Sequence, residues 1–503
     1  MNFLSLAKRF KNTVAYRRSA RSHAALGLLA VLMSSGLAGN LHGMVVAWGR
    51  NTWGQLGDGT TEDRPLPVMV DPTDSLGGLK VNVLATGQSH SLALTTDGRV
   101  LAWGFNGSGA LGDGTQNDHP LPAPVTASGA LNGKKLTAIA AGQDFSLAVA
   151  SDGKVYAWGN NAQGELGNGD TTDQPALVPV TVNGILTNQT VTLVAAGSYH
   201  SLAITTDGQV MAWGYNRTGA LGDGTTANRS SPVAVKTNGP LAGQRFIAVA
   251  AGEYHSLALS ASGTVFAWGF NFNGQLGDGS GLDSSVPVAL NRTNLFAGKS
   301  VIAIAAGLEH SLALTEDGLV YAWGDNSVGQ LGDGTTHERD TPVPVGTNGV
   351  FAGKRLTAIA TGAGHSLALA MDGQLYAWGA NAFGRLGDGT FAQRNSPMAV
   401  NMGGVLQTQS ITALAAGSQA FHSMVLTADR SPYAEITQVA GGVHFKLVGL
   451  PSTTYEFQRS ATISPLTSWL PVTNLTTDAD GILSYQGQVP EGQAFWRFTL
   501  PSP

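Results

Sequence analysis

The chain has 503 residues, 67 glycines, no cysteine and only 12 % charged residues. That excludes a disulfide framework and a thiolate metal site, and it fits tight turns between short strands rather than long helices. The formal charge of −5 hides an asymmetry: residues 1–44 hold six of the 28 basic residues and no acid, so elsewhere 22 basic residues face 33 acidic ones, a net of −11, which argues against binding nucleic acid through its phosphates.

Residues 1–38 have the order of a secretory signal. The basic residues Lys8, Arg9, Lys11, Arg17, Arg18 and Arg21 precede the apolar run Ala24–Met33, and Ser34, Ser35, Gly36, Leu37 and Ala38 follow. Cleavage after Ala38 is expected. Arg17-Arg18 invites a twin-arginine reading, but the rest of that motif is absent. The competing reading is an uncleaved anchor, for which the run is short. The expectation is therefore export, to the medium or the cell surface, with no integral span in the mature chain.

From Val45 one motif dominates. AWGRNTWGQLGDGT at Ala47 recurs from Ala102, Ala157, Ala212, Ala267, Ala322 and Ala377, and every interval between Trp48, Trp103, Trp158, Trp213, Trp268, Trp323 and Trp378 is 55 residues. A fixed period of this length predicts a repeat architecture. A second half-motif, AAGSYHSLAITTDG from Ala195, recurs too, with Phe145 where the other copies have His90, His200, His255, His310, His365 and His422. Period-two patterning and glycine punctuation predict four short strands per repeat. The first ends in Ala-Ala-Gly, and the second is His-Ser-Leu-Ala-Leu-Thr. An Asp-Gly hairpin turn leads to a third ending in Ala-Trp-Gly. The fourth, such as Ser231–Val235, carries proline and suits an outer edge. Four antiparallel strands repeated radially are propeller blades.

The repeat region, 39–430, begins at Val45 with a third strand and ends at Ala415–Asp429 with a first and a second. Those halves complete each other, so seven blades are expected, with residues near 411–428 pairing beside the Trp48 strand and closing the ring. Residues 431–503 change pattern. Alternating segments at 444–448, 455–458, 482–485 and 495–498 predict a small C-terminal β domain of sandwich type.

The two half-motifs resemble the signature of the regulator of chromosome condensation repeat family, over residues 45–430. The resemblance implies a seven-bladed propeller closed by strands from both ends, and no single function. The family includes an exchange factor for a Ras-like GTPase, a plant ultraviolet receptor and a secreted bacterial inhibitor of β-lactamase. The ultraviolet receptors carry extra tryptophans in the loop before the second strand, where this chain has none. The exchange factor carries a blade insertion that this uniform spacing lacks.

Comparing copies within the chain separates scaffold from site. Asn51, Gly54, Leu56, Gly57, Gly59 and their counterparts recur in all seven copies. They read as turn formers, loop hydrogen-bonders and inter-blade packing. The tryptophans read as inter-blade core with a satisfied N–H. The six histidines read as structural, since catalysis needs one unique constellation. Gly57–Thr60 lacks the alternating oxygens of a calcium loop and reads as a turn. No catalytic residue, metal ligand or cofactor site is expected.

The unrepeated loop residues are the candidates: Trp53, Phe105, Tyr199, Tyr215, Arg217, Glu253, Tyr254, Phe270, Phe272 and Phe383, with Glu309 and Asp325. Strand direction places their loops on one rim, and such aromatics are over-represented at recognition sites. The expected function is a monomeric, exported, non-enzymatic propeller binding a protein through that face. The alternatives are an exchange-factor-like regulator of a small GTPase and a carbohydrate-binding propeller.

Overall fold

The computed structural model describes residues 44–429, except 72–78, 127–130, 132, 182–188, 237–242, 291–298, 347–348 and 408, and strands between 433 and 499. The expected signal at 1–38 lies outside the described residues. Residues 45–429 form a seven-bladed β-propeller of four-stranded antiparallel sheets, each named below by its tryptophan. Six blades are continuous stretches of chain. In the Trp48 blade the order is Arg64–Met69, Val45–Gly49, His422–Asp429, Gln409–Ala415, so both ends of the repeat region share a sheet.

The second and third strands of each blade are buried along their whole length, as at His200–Thr205 and Val210–Gly214. Both faces pack on neighbouring blades, which explains why Ala and Ser alternate with Leu rather than with charges. The proline-bearing fourth strands, such as Arg229–Ala234, are half-exposed outer edges.

Seven apolar clusters each join consecutive blades. Leu56 packs with Leu84, Leu101 and Trp103 of the next blade. At the remaining seam Trp48 packs with Leu367, Leu375 and Leu386. The tryptophans are essentially inaccessible to solvent.

Each seam is also pinned by a polar device. Ser256 Oγ donates to the Ala220 carbonyl at 2.8 Å, and the Trp268 indole N–H donates to the same oxygen at 2.8 Å. The hydroxyl's proton is thereby used, so His200 Nε2–H donates to Ser256 Oγ, 2.9 Å away across the seam. The counterparts of His200 make the same bridge, except that Phe145 leaves Ser201 with only the Glu165 carbonyl at 2.8 Å. Burial drives the His200 pKa down to about 4, keeping the imidazole neutral.

The loop after Trp-Gly is organised by its asparagine. Asn216 Oδ1 accepts from Leu221 N at 2.9 Å, and its amide donates to the Thr225 carbonyl and to Asp223 Oδ1, both at 3.1 Å. Asp223 also accepts from Thr225 N and from Arg229 Nη2, each at 2.9 Å. The Gly-Asp-Gly-Thr carboxylate is thus used within its own turn. At Gly222, φ is +66°, and a Cβ would lie 2.8 Å from the Trp268 indole nitrogen, so no other residue fits.

The hairpin turn needs less than the sequence suggested. In Thr205–Gly208 only the glycine has positive φ, at +82°, while Asp207 accepts from the Thr205 hydroxyl. Beyond the repeats, strands pair as Tyr433–Val439, Gly442–Val448 and Ile482–Gly487, and as Leu470–Thr476, Thr454–Ser460 and Phe495–Thr499. The first strand of each triplet was not foreseen from the sequence. Among the described residues no helix is long and apolar enough to cross a membrane.

Candidate partner-binding face

In every blade the residue before the second strand and the residue after Trp-Gly are neighbours. The second strand's first residue pairs with that glycine, as His200 does with Gly214. The flanking residues then close a backbone bond at the rim. Tyr215 N donates to the Tyr199 carbonyl at 2.8 Å, Phe270 N to Tyr254 at 2.9 Å, and Asp325 N to Glu309 at 2.8 Å. Phe105 pairs with Ser89 at 2.8 Å, Asn160 with Asp144 at 2.9 Å, Ala380 with Gly364 at 2.8 Å, and Arg50 with Phe421 at 3.1 Å. These pairs have one backbone geometry, and no two have the same side chains. Repeated residues build the seams, and unrepeated ones surface together at one end.

Five of the candidate rings form one continuous cluster across the Trp213 and Trp268 blades. Tyr199 stacks on Tyr254 at 6.0 Å between centroids, Tyr215 meets Tyr254 at 4.9 Å, and Tyr254 meets Phe270 edge-on at 6.4 Å. Phe272 stacks beyond Phe270 at 6.4 Å and is 76 % exposed. The tyrosines and Phe270 are half-buried, Arg217 is exposed, and Glu253 lies beside Tyr254.

The other candidates do not join this cluster. Trp53 and Phe105 form a separate pair at 5.1 Å. Phe383 belongs to a third group, with Phe421 at 6.0 Å and the guanidinium groups of Arg50 and Arg385 each 5.1 Å from its ring. Arg50, Arg385 and Phe421 were missed in the sequence. The signal for Phe421 was present: the last copy, AAGSQAFHS, is two residues longer than the others before its histidine.

The face is electrostatically divided. Arg50 and Arg385 lie on one side, with Asp63 nearby. Asp144, Glu253, Glu309 and Asp325 lie on the other, with Glu165 beneath. Burial, then the charge of Glu309, pushes the Glu253 carboxyl up, and burial, then Asp325, raises Glu309. Burial, then the nearby carboxylates Asp173 and Asp144, raises fully buried Glu165 to about 7. Burial also raises Tyr199, Tyr215 and Tyr254, so these phenols stay neutral.

Among the described residues no group of three metal-ligating side chains forms. The central channel is lined by inner strands carrying Ile139, Val194, Val249, Ile304 and Ile359, with alanines between them. It has few polar groups to orient a substrate.

The geometry defines a seven-bladed repeat propeller with one variable face. The family model described as the RCC1-like domain matches residues 179–435, and that of the regulator of chromosome condensation (RCC1) repeat matches 42–94, 97–149 and 152–204. The ultraviolet-B receptor UVR8 of Arabidopsis thaliana is 35 % identical over 355 residues, 70 % of this chain and 77 % of that protein. The chain therefore belongs to the RCC1 repeat family. The human E3 ubiquitin-protein ligase HERC2 is 34 % identical over 396 residues, but these span 8 % of its length. Prp20p of Saccharomyces cerevisiae, whose binding to Gsp1p and histones has been described, superposes with a TM-score of 0.68 at 25 % identity, covering 82 % of this chain and 97 % of that one. Human WBSCR16 superposes with a TM-score of 0.66 at 24 % identity, covering 77 % of this chain and all of that one, which speaks to the fold alone.

Proposed function

We propose that this protein is an exported, non-enzymatic propeller that binds a protein partner through its variable face, with the ring closed by the sheet that both ends share. One observation carries the reading: seven geometrically equivalent rim positions hold seven different side-chain pairs, while the tryptophan and serine of each seam recur in every blade. Half-buried aromatics beside a few charges are the composition of recognition sites. The basic-then-apolar N-terminus supports export, and the secreted members of the family are the model for that part. The C-terminal strands form a separate sandwich-like module in this reading.

The test uses the full chain as bait against proteins from the outer surface of the producing cell. Alanine at Tyr199 and Tyr254 leaves the melting temperature nearly unchanged and weakens capture by ~2 kcal/mol or more. Trp213→Ala, deep in a seam, destabilises by ~3–5 kcal/mol. Tyrosine variants that unfold like the tryptophan variant overturn the site. N-terminal sequencing tests export: a mature start near residue 39 is expected, and intact Met1 in the cytosol overturns it. That second result would favour the exchange-factor reading, which the likeness to Prp20p supports and the uniform 55-residue spacing does not.

A further inference from the structure

Most turn carboxylates of the repeat have a basic partner, whereas four carboxylates on the variable face have none among the described residues. In four blades the turn aspartate is met by an arginine six residues on: Asp58 by Arg64, Asp223 by Arg229, Asp333 by Arg339 and Asp388 by Arg394. In the Trp103 blade His119 lies 2.8 Å from Asp113, and in the Trp268 blade the position holds Ser284 and Asp278 bonds Asn271 and Ser280 instead. In the Trp158 blade the same two positions are Asn168 and Gln174, so charge is absent from both.

The rim behaves differently. Among the described residues Asp144, Glu253, Glu309 and Asp325 make no ion pair, and their bonds go to neutral groups. Asn273 Nδ2 donates to Glu309 at 2.6 Å, Gln330 Nε2 donates to Asp325 at 2.6 Å, and Tyr254 bonds Glu253. Three like charges on the adjoining Trp268 and Trp323 blades, Glu253, Glu309 and Asp325, are held half-buried beside one another, and Asp144 is half-buried near Asp173 on the other side of the tyrosines. Their mutual repulsion and lost hydration destabilise the free protein and are relieved when a cation arrives.

The aromatic cluster is interleaved with these carboxylates. Phe272, 76 % exposed at the end of the stack, offers an open ring to a planar cation, with the half-buried tyrosines beside it. Outward from Phe272 runs a groove of about 400 Å³ lined by Asn273, Ser280, Glu338 and Asp340. The arc therefore continues as an acidic track across the rim. Arg217 lies exposed within it, beside Tyr215.

We infer that this arc, from Asp144 through the tyrosine cluster to Asp325 and out along the Phe272 groove, docks an arginine-rich segment of a protein. Arginine fits better than lysine. Its guanidinium forks onto a carboxylate and lies flat on a ring at once, and it sheds water more readily. The inference rests on the protein-binding reading and adds the chemistry of the partner.

The probe is a fluorescein-labelled nona-arginine peptide, with nona-lysine and nona-glutamate peptides of the same length for comparison, titrated onto the full chain at moderate salt. The expected order is arginine tighter than lysine, with no binding of glutamate. Glu253→Gln with Glu309→Gln weakens the arginine peptide about tenfold or more, and Phe272→Ala, too exposed to affect folding, weakens it several-fold. Arg217→Ala tightens binding, an outcome that damage to the fold cannot produce. Asp207→Asn with Glu316→Gln removes the same charge from hairpin turns at the opposite ends of the strands and changes the affinity less than twofold. Equal losses from the two double variants would mean diffuse attraction to an acidic body and would overturn the inference. So would unchanged binding after Glu253→Gln with Glu309→Gln, or weaker binding after Arg217→Ala. If surface proteins still depend on Tyr199 and Tyr254 while the peptide does not bind, the partner's chemistry is wrong and the protein-binding face stands.

Discussion

Glu165 shows how far a residue's neighbours in the repeat can mislead. Its position holds Gln55, Ala110, Ala220, Gln275, Gln330 and Arg385 in the other blades, so no one residue type repeats there. All seven are buried, because the backbone carbonyl there takes both the tryptophan and the serine of the next blade. The two alanines were the legible hint that space is restricted. Glu165 Oε2 accepts from Gln163 N at 2.6 Å, as Gln55 Oε1 does from Trp53 N at 2.9 Å, so Glu165→Gln keeps that bond. The carboxyl's pKa is raised from 4.5 to about 7, so the stability linked to its protonation is complete below pH 4.5 and lost as pH rises through 7. Glu165→Gln is therefore more stable than the parent at pH 8.5, by on the order of 3 kcal/mol at most, and the gap closes toward pH 4.5. Denaturant melts at both values check this. A constant gap would mean the carboxyl does not titrate there.

At the scale of the strand, the His-Ser-Leu-Ala element is the part of the fold the sequence displays most openly. Its histidine recurs, so a structural role was legible. The cross-seam serine was not, because a residue 56 positions away in the chain becomes a partner only once blades stack. Phe145 tests the element in the native protein: its ring lies against Gly142 as the His255 ring lies against Gly252. His255→Phe should thus retain the fold, leaving Ser311 on the Gln275 carbonyl at 3.0 Å, and cost about 1 kcal/mol. His255→Ala empties a packed site and costs about 2–4 kcal/mol by denaturant titration. Acid acts on the same element. Burial depresses the histidines from 6.5, to about 4 for His90, His200 and His310 and to about 3 for His255 and His422. Stability is full above pH 6.5 and falls as the unfolded chain takes up protons, by up to ~1.4 kcal/mol per pH unit for each histidine. An acid titration followed by circular dichroism should unfold steeply below pH 6. Replacing two histidines by Phe should shallow that slope.

For the whole molecule, the exact 55-residue period makes the blades and their number readable in the sequence itself. The partition of the face was not readable, since it depends on which unrepeated residues become neighbours around a ring. Arg50 and Phe421 stand 371 positions apart and share a backbone bond. The proposed closure has a direct test. Truncation after Ser410 removes the strand His422–Asp429 beside Val45–Gly49 and exposes the apolar seam around Trp48. The truncated chain is expected to melt far lower, or to aggregate, by scanning calorimetry, and melting like the intact protein would refute closure.

The joint between those two strands also fixes how the molecule answers to tension. They run antiparallel as neighbours, with Val45 opposite Leu426 and Gly49 opposite His422. Residues 44 and 429 therefore leave the sheet at the same corner. A force pulling on both ends meets the five paired positions one at a time, as a zipper is opened, rather than all together in shear. The other six blades, each a single stretch of chain, carry no load until this joint has parted. A protein strung between a surface and a partner by its two ends would yield here first and softly, with most of its recognition face intact.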